Sequence, residues 1–103
     1  MKEKLNSKER AYLKGLASKL DSIFQIGKSG PTPELIEALD LAIDKRELVK
    51  CNVLENCAED IKFVASAISE RTGSQVVHII GRKIVLYRPA KENPVIKLPK
   101  NKK

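Results

Sequence analysis

The chain has 103 residues, 42% of them hydrophobic and 32% charged, with a formal net charge of +7; that length suits one domain around one modest core. No run of about 18 apolar residues exists, which excludes a membrane-spanning helix. The charged opening MKEKLNSKER lacks the apolar centre of a secretory signal, so a cytoplasmic protein with no membrane partner is expected.

The charge is segregated. Residues 1–30 carry net +4, residues 31–73 net −4 and residues 74–103 net +7. Basic ends around an acidic middle predict one positive face if the ends meet in space, and such a face suits a polyanion. Cys51 and Cys57 match no zinc-ligand spacing and His78 is the single histidine. Two reduced, buried thiols are expected, and no metal or other cofactor.

In chain order, LNSKERAYLKGLASKL reads as a helix, with Asn6 as N-cap and Glu9 completing a capping box. At about 100° per residue, Tyr12, Leu13, Leu16, Ala17 and Leu20 share an apolar face. Lys8, Lys19 and Gly15 cluster opposite, with Lys14 at the edge. A glycine inside a helix costs about 1 kcal/mol relative to alanine. Among lysines it would let a sugar-phosphate backbone approach; close packing against another element would explain it equally well. SIFQI, Ser22 to Ile26, is a short strand.

The loop GKSG follows. Thr32 then caps a second helix with Pro33 at its first position; Leu35, Ile36, Leu39 and Ile43 form its core stripe. Glu34, Glu37, Asp40 and Asp44 make its outer face acidic. ELVKCNVL is a strand with Val49, Cys51 and Val53 on one face. ENCAEDIKFVASAISERTG is a third helix, with Glu59 and Asp60 favouring its start, Ile61, Val64, Ala65 and Ile68 facing the core, and Gly73 ending it. QVVHII and IVLYR form a hairpin around Gly81-Arg82-Lys83; both strands are nearly apolar, so the pair is expected inside the sheet. Phe24 and Phe63 are expected in the core. From Pro89 a proline- and lysine-rich segment reads as an extended, partly mobile tail. The order α-β-α-β-α-β-β predicts a compact α/β domain, a four-stranded mixed sheet packed with helices.

Catalysis has little to work with: no histidine lies near a nucleophile motif and no paired-histidine metal signature exists, so no enzyme is expected. GKSG does not match the nucleotide loop G-x-x-x-x-G-K-[ST]. It does match a GXXG loop of the kind that clamps a single-stranded backbone. Gly27 and Gly30 would leave the backbone open, Lys28 would add charge and Ser29 a hydroxyl donor. Exposed aromatics on adjacent strands are not evident, so contacts to phosphate and RNA shape are expected over base stacking.

LNSKERAYLKGLASKLDSIFQIGKSG, ELVKCNVLENC and VVHIIGRKIVLYRP, in this order, resemble the YhbY family, the stand-alone bacterial form of the CRM (chloroplast RNA splicing and ribosome maturation) domain. The resemblance runs from about Leu5 to Pro99. It implies a fold similar to the C-terminal domain of translation initiation factor three, and an RNA-binding protein associated with large-subunit ribosomal RNA or its precursor and with ribosome assembly. The family's basic first helix falls on Lys8, Arg10, Lys14 and Lys19, with Gly15 in the LKGLA segment. Its GXXG loop falls on Gly27, Lys28, Ser29 and Gly30, and its GRKIVLYRP block on Gly81 to Pro89. There Arg82, Lys83 and Arg88 would extend the positive surface. Pro31 departs from the aliphatic residue expected, and a proline there pushes Gly30 toward extended backbone. The expected organisation is an RNA-binding domain over residues 1–99, a basic tail over 100–103, and a monomer. The alternatives are an enzyme acting on a phosphate ligand through the loop, and an adaptor that docks a basic ribosomal protein on the acidic helix.

Overall fold

A computed structural model describes residues 5–92 and 94–96. The elements are α1 (Ser7–Ala17), β1 (Phe24–Ile26), α2 (Pro33–Arg46), β2 (Leu48–Val53), α3 (Ile61–Thr72), β3 (Gln75–Ile80) and β4 (Lys83–Tyr87), in the expected order. Local chemistry sets their ends. Asn6 accepts from the Glu9 amide and Glu9 returns the bond, a complete capping box. Thr32 caps α2 with Pro33 behind it, Asp60 caps α3, and Gly73 closes α3 at φ 71. Helix α1 stops at Ala17, three residues earlier than the pattern suggests. There the amides of Lys19 and Leu20 bond back to Leu16 and Ala17, tightening the chain into i→i+3 turns.

The four strands form one mixed sheet in the order β1-β2-β4-β3. β1 runs parallel to β2, with α2 crossing between them, and β4 is antiparallel to both β2 and β3. The hairpin therefore does not lie wholly inside: β4 is internal, but β3 is an edge. A bulge between Val76 and His78 marks that edge, a common place for an extra residue.

Helices lie on both faces of the sheet, one face fully covered and the α1 side covered in part, so β2 and β4 are apolar except at Lys50, Asn52 and Lys83, which fall on the α1 side. On one face Val49, Cys51, Val53, Ile84 and Leu86 pack under α2 and α3, against Leu39, Ile43, Val64 and Ile68. On the other, Leu48, Val77, Val85 and Tyr87 receive Leu13 and Ala17 of α1. The apolar stripe of α1 is narrower than expected. Tyr12 is exposed and Leu16 is half-buried, because a single helix lying on a sheet buries only the residues nearest its contact line; Leu20, expected on the same stripe, lies past the end of the helix and is exposed as well. Phe63, expected in the core, is also exposed, at 55%. It stands one position before the buried Val64 and so points off the core face of α3.

Cys51 and Cys57 are free, buried thiols. Burial pushes Cys51 from its ordinary value of 9.0 up to about 12, so it stays protonated and unreactive near neutrality. The tail is more tightly held than its composition suggests. The amides of Ala90, Val95 and Ile96 all donate to the carboxylate of Glu47, a buried residue at φ 68. The expected tail at 100–103 lies outside the described residues.

Candidate nucleic-acid interface

The GKSG loop leaves the end of β1 as a closed turn. The amide of Gly30 donates to the carbonyl of Gly27 at 2.9 Å, which puts Lys28 and Ser29 at the exposed tip. Gly30 has φ 68, not the extended backbone that the following Pro31 suggested. The amide of Thr32 donates back to the Gly30 carbonyl, so the chain turns sharply through Pro31 into α2. This positive φ favours glycine at 30. At Gly27 it is not: φ is not positive, and an added Cβ would meet Asn56 and Leu54 at 3.5 Å, ordinary contact. The β2–α3 connection, with Glu59 beside Gly30, lines one side of the turn.

The basic residues divide into two sets. Lys8, Lys14, Lys19, Lys28 and Lys83 are exposed and have no ion-pair partner among the described residues. The three arginines among the expected site residues, Arg10, Arg82 and Arg88, are used within the fold. Arg10 donates to the carbonyls of Val76 and Val77, at the β3 bulge. Arg82 holds the carbonyls of Val53 and Leu54, joining the hairpin tip to the end of β2. Arg88 pairs with Asp40 at 2.6 Å and Asp44 at 3.4 Å, and also holds the Thr72 carbonyl. Part of the acidic face of α2 is thereby neutralised from inside. Lys83 and Arg88 stand at opposite ends of β4, about 17 Å apart at 3.4 Å per residue, so the GRKIVLYRP block does not present one continuous cationic patch.

Gly15 sits on the exposed side of α1, and nothing lies within 4 Å of where its Cβ would be. Close packing against another element is thus removed as its explanation. One residue that the pattern misassigned belongs beside it. Tyr12, 42% exposed, follows Lys8 by four residues and so stands next to it on the helix surface. The signal was present in that spacing, but Tyr12 also falls within a hydrophobic-periodic stripe, and periodicity does not distinguish the edge of a stripe from its centre.

Two clefts flank α1. One, of about 550 Å³, lies between the α1–β1 connection and the start of β2, lined by Leu16, Leu20, Leu48 and Ile96 with Lys19 and Arg46. The other, of about 220 Å³, lies between α1 and the sheet, lined by Lys14, Ser18, Lys50, His78, Ile80 and Val85. Among the described residues, no three of His, Cys, Asp or Glu are grouped to hold a metal ion, and no helix is long and apolar enough to cross a membrane.

A sandwich of one helix, a mixed four-stranded sheet and two helices, with a glycine-bounded turn after β1, defines the class. Residues 5–88 match the CRS1 / YhbY (CRM) domain model, and the chain belongs to that family. It is 43% identical to Probable RNA-binding protein YqeI of Bacillus subtilis (strain 168), covering 92% of this chain and 99% of that one. It is 33% identical to an RNA-binding protein of Haemophilus influenzae, covering 93% and 96%. The solution structure of the hypothetical protein SAV1595 from Staphylococcus aureus superposes with a TM-score of 0.79 at 45% identity, covering 93% of this chain and all of that one.

Proposed function

We propose that this protein is a cytoplasmic RNA-binding protein, without catalytic activity, that takes large-subunit ribosomal RNA or its precursor as ligand and assists ribosome assembly. The observation that carries the reading is the exposed side of α1 and the turn that follows it: a bare Gly15, with unpaired Lys8 and Lys14 on the helix and Lys19 in the turn just beyond its end. The GKSG turn adds a second phosphate contact through Lys28, Ser29 and open backbone at Gly27. The names of the B. subtilis and H. influenzae relatives support RNA as the ligand; the ribosomal assignment rests on the family resemblance. The adaptor reading is weakened because Asp40 and Asp44 are already paired with Arg88.

Crosslinking in cells followed by sequencing of the bound RNA tests the assignment. Enrichment of large-subunit ribosomal RNA or its precursor is expected, and a map without it would remove the assembly role.

Gly15→Ala separates ligand approach from folding. The added methyl meets open space and favours the helix, so the thermal midpoint should rise, in line with about 1 kcal/mol of stabilisation. RNA affinity should fall, because the methyl stands where the backbone comes closest. A variant that is more stable and binds equally well would show that the glycine serves no ligand.

A further inference from the structure

The sheet face under α1 is only partly covered. The strand register aligns Gln25 of β1 with Asn52 of β2, Asn52 with Lys83 of β4, and Lys83 with Ile80 of β3. These four residues form one row across the whole sheet, about 14 Å at the usual strand spacing. The row lies on the α1 side, because Val85, two residues after Lys83, and Leu48, four before Asn52, both pack against α1. Helix α1 stops short of it: Gln25 and Lys83 are exposed, Asn52 is half-buried, and Ile80 is 56% exposed. The side-chain amides of Gln25 and Asn52 make no hydrogen bond among the described residues. Between this row and α1 opens the smaller cleft, where Lys14 and Ser18 face His78, Ile80 and Lys50. Lys50 donates to the Leu20 carbonyl and closes one end. Gln25 stands two residues before Gly27, so the row begins beside the GKSG turn.

We infer that this strip is a base-reading surface for single-stranded RNA, distinct from the phosphate contacts of α1 and the loop. The inference rests on the RNA-binding reading above and adds a source of sequence preference to it. The occupant follows from the chemistry. Lys14 and Lys83 border the strip with positive charge, which suits a polyanion. Gln25 and Asn52 each offer two donors and an acceptor, the set that pairs with base edges. Ile80 and Val85 give an apolar floor for a planar ring. A duplex hides its Watson–Crick edges, whereas splayed bases of a single strand present them. Four-stranded sheets elsewhere receive two or three bases across their width. This one lacks aromatic platforms, so it reads by hydrogen bonds. The cleft of about 220 Å³, which of the row only Ile80 lines, falls below the size of drug-like ligand sites and suits a single base at the Ile80 end of the strip.

The test uses the full-length protein with fluorescein-labelled oligo(A), oligo(C), oligo(G) and oligo(U) RNA, read by anisotropy at several salt concentrations. The wild type should rank the four oligomers, with about tenfold or more between the tightest and the weakest. Gln25→Ala/Asn52→Ala should flatten that ranking to within about threefold while leaving the salt slope unchanged, because neither residue neutralises phosphate. Both side chains reach solvent, so the variant should fold; far-ultraviolet circular dichroism and a matching thermal midpoint establish that. A ranking that survives in the folded variant overturns the strip, as does a wild type without any ranking, and either leaves RNA binding standing. A wild type that binds none of the oligomers overturns the RNA-binding reading and the strip together.

Discussion

Replacing Lys8, Lys14 and Lys19 together with glutamate should weaken binding to ribosomal RNA fragments by about a hundredfold or more at moderate salt. The same change should reduce the steepness of the salt dependence by about two to three in log–log slope. The magnitude follows from counterion release: each lysine placed on a phosphate frees a condensed cation, and a glutamate in its place repels the strand. The loss should be similar for every RNA sequence, because phosphates carry no sequence information. All three side chains are exposed and unpaired among the described residues, so reversal breaks no internal ion pair and the fold should persist. Arg10→Glu, Arg82→Glu or Arg88→Glu would be a poor substitute. Each of those guanidinium groups holds backbone carbonyls, so their loss would mix stability with binding. Filter binding or anisotropy across a salt series checks the triple variant. Unchanged affinity and slope would mean that RNA does not lie along α1.

Glu47→Ala should cost about 3 kcal/mol of folding stability. The Glu47 carboxylate is buried and accepts three amide hydrogen bonds, from Ala90, Val95 and Ile96 at 2.7 to 3.0 Å. Bonds to a charged acceptor contribute more than neutral ones, about 1.5–3 kcal/mol each before solvent replaces part of the loss. The latch sits at the junction of α2 and β2, and the Glu47 carbonyl also accepts from the amide of Arg88. Ile96, which the latch brings down, packs against the α1-side core. Release of the segment should therefore loosen one wall of the cleft beside Leu48 as well. Glu47→Gln keeps the shape without the charge, so it should fall between Ala and wild type. Urea unfolding of the three proteins measures the order. A Glu47→Ala midpoint matching wild type, within about 0.5 kcal/mol, would show that the tail is held by other contacts.

Glu47 carries a cost of its own. At φ 68 its backbone occupies a region that residues with a Cβ seldom adopt. Its three amide partners lie 43 to 49 residues away, so nothing near position 47 announces the role. In the sequence Glu47 reads as one more acid in an acidic segment.

That contrast runs through the molecule. The sequence by itself determined the helices and strands and several of their caps, because those depend on neighbours a few residues apart; it overran the end of α1 and the starts of β1 and α3, which begin only at Phe24 and Ile61. Asn6 with Glu9, Thr32 with Pro33, and Gly73 are local signals, and the structure uses each as expected. It also determined which residues of α2, β2 and α3 face a core, since alternation and helical spacing are properties of single elements. The family was legible for a related reason: its motifs are contiguous stretches.

Only the tertiary structure decided where those elements lie. Periodicity cannot say that β4 enters between β2 and β3, which leaves the equally apolar β3 on the edge. Nor can it say how much of an apolar stripe a single covering helix will bury, and so Tyr12 came to the surface. Charge is the sharpest case. Seven basic residues in and just after α1 and the hairpin look alike in the sequence, yet three arginines are taken up by carbonyls and carboxylates far along the chain, while Lys8, Lys14, Lys19 and Lys83 remain free among the described residues. The row from Gln25 to Ile80 exists only because three pairing registers coincide. Hydrogen-bond partners and strand registers are relations between distant segments, fixed when the chain collapses, and no local pattern encodes them.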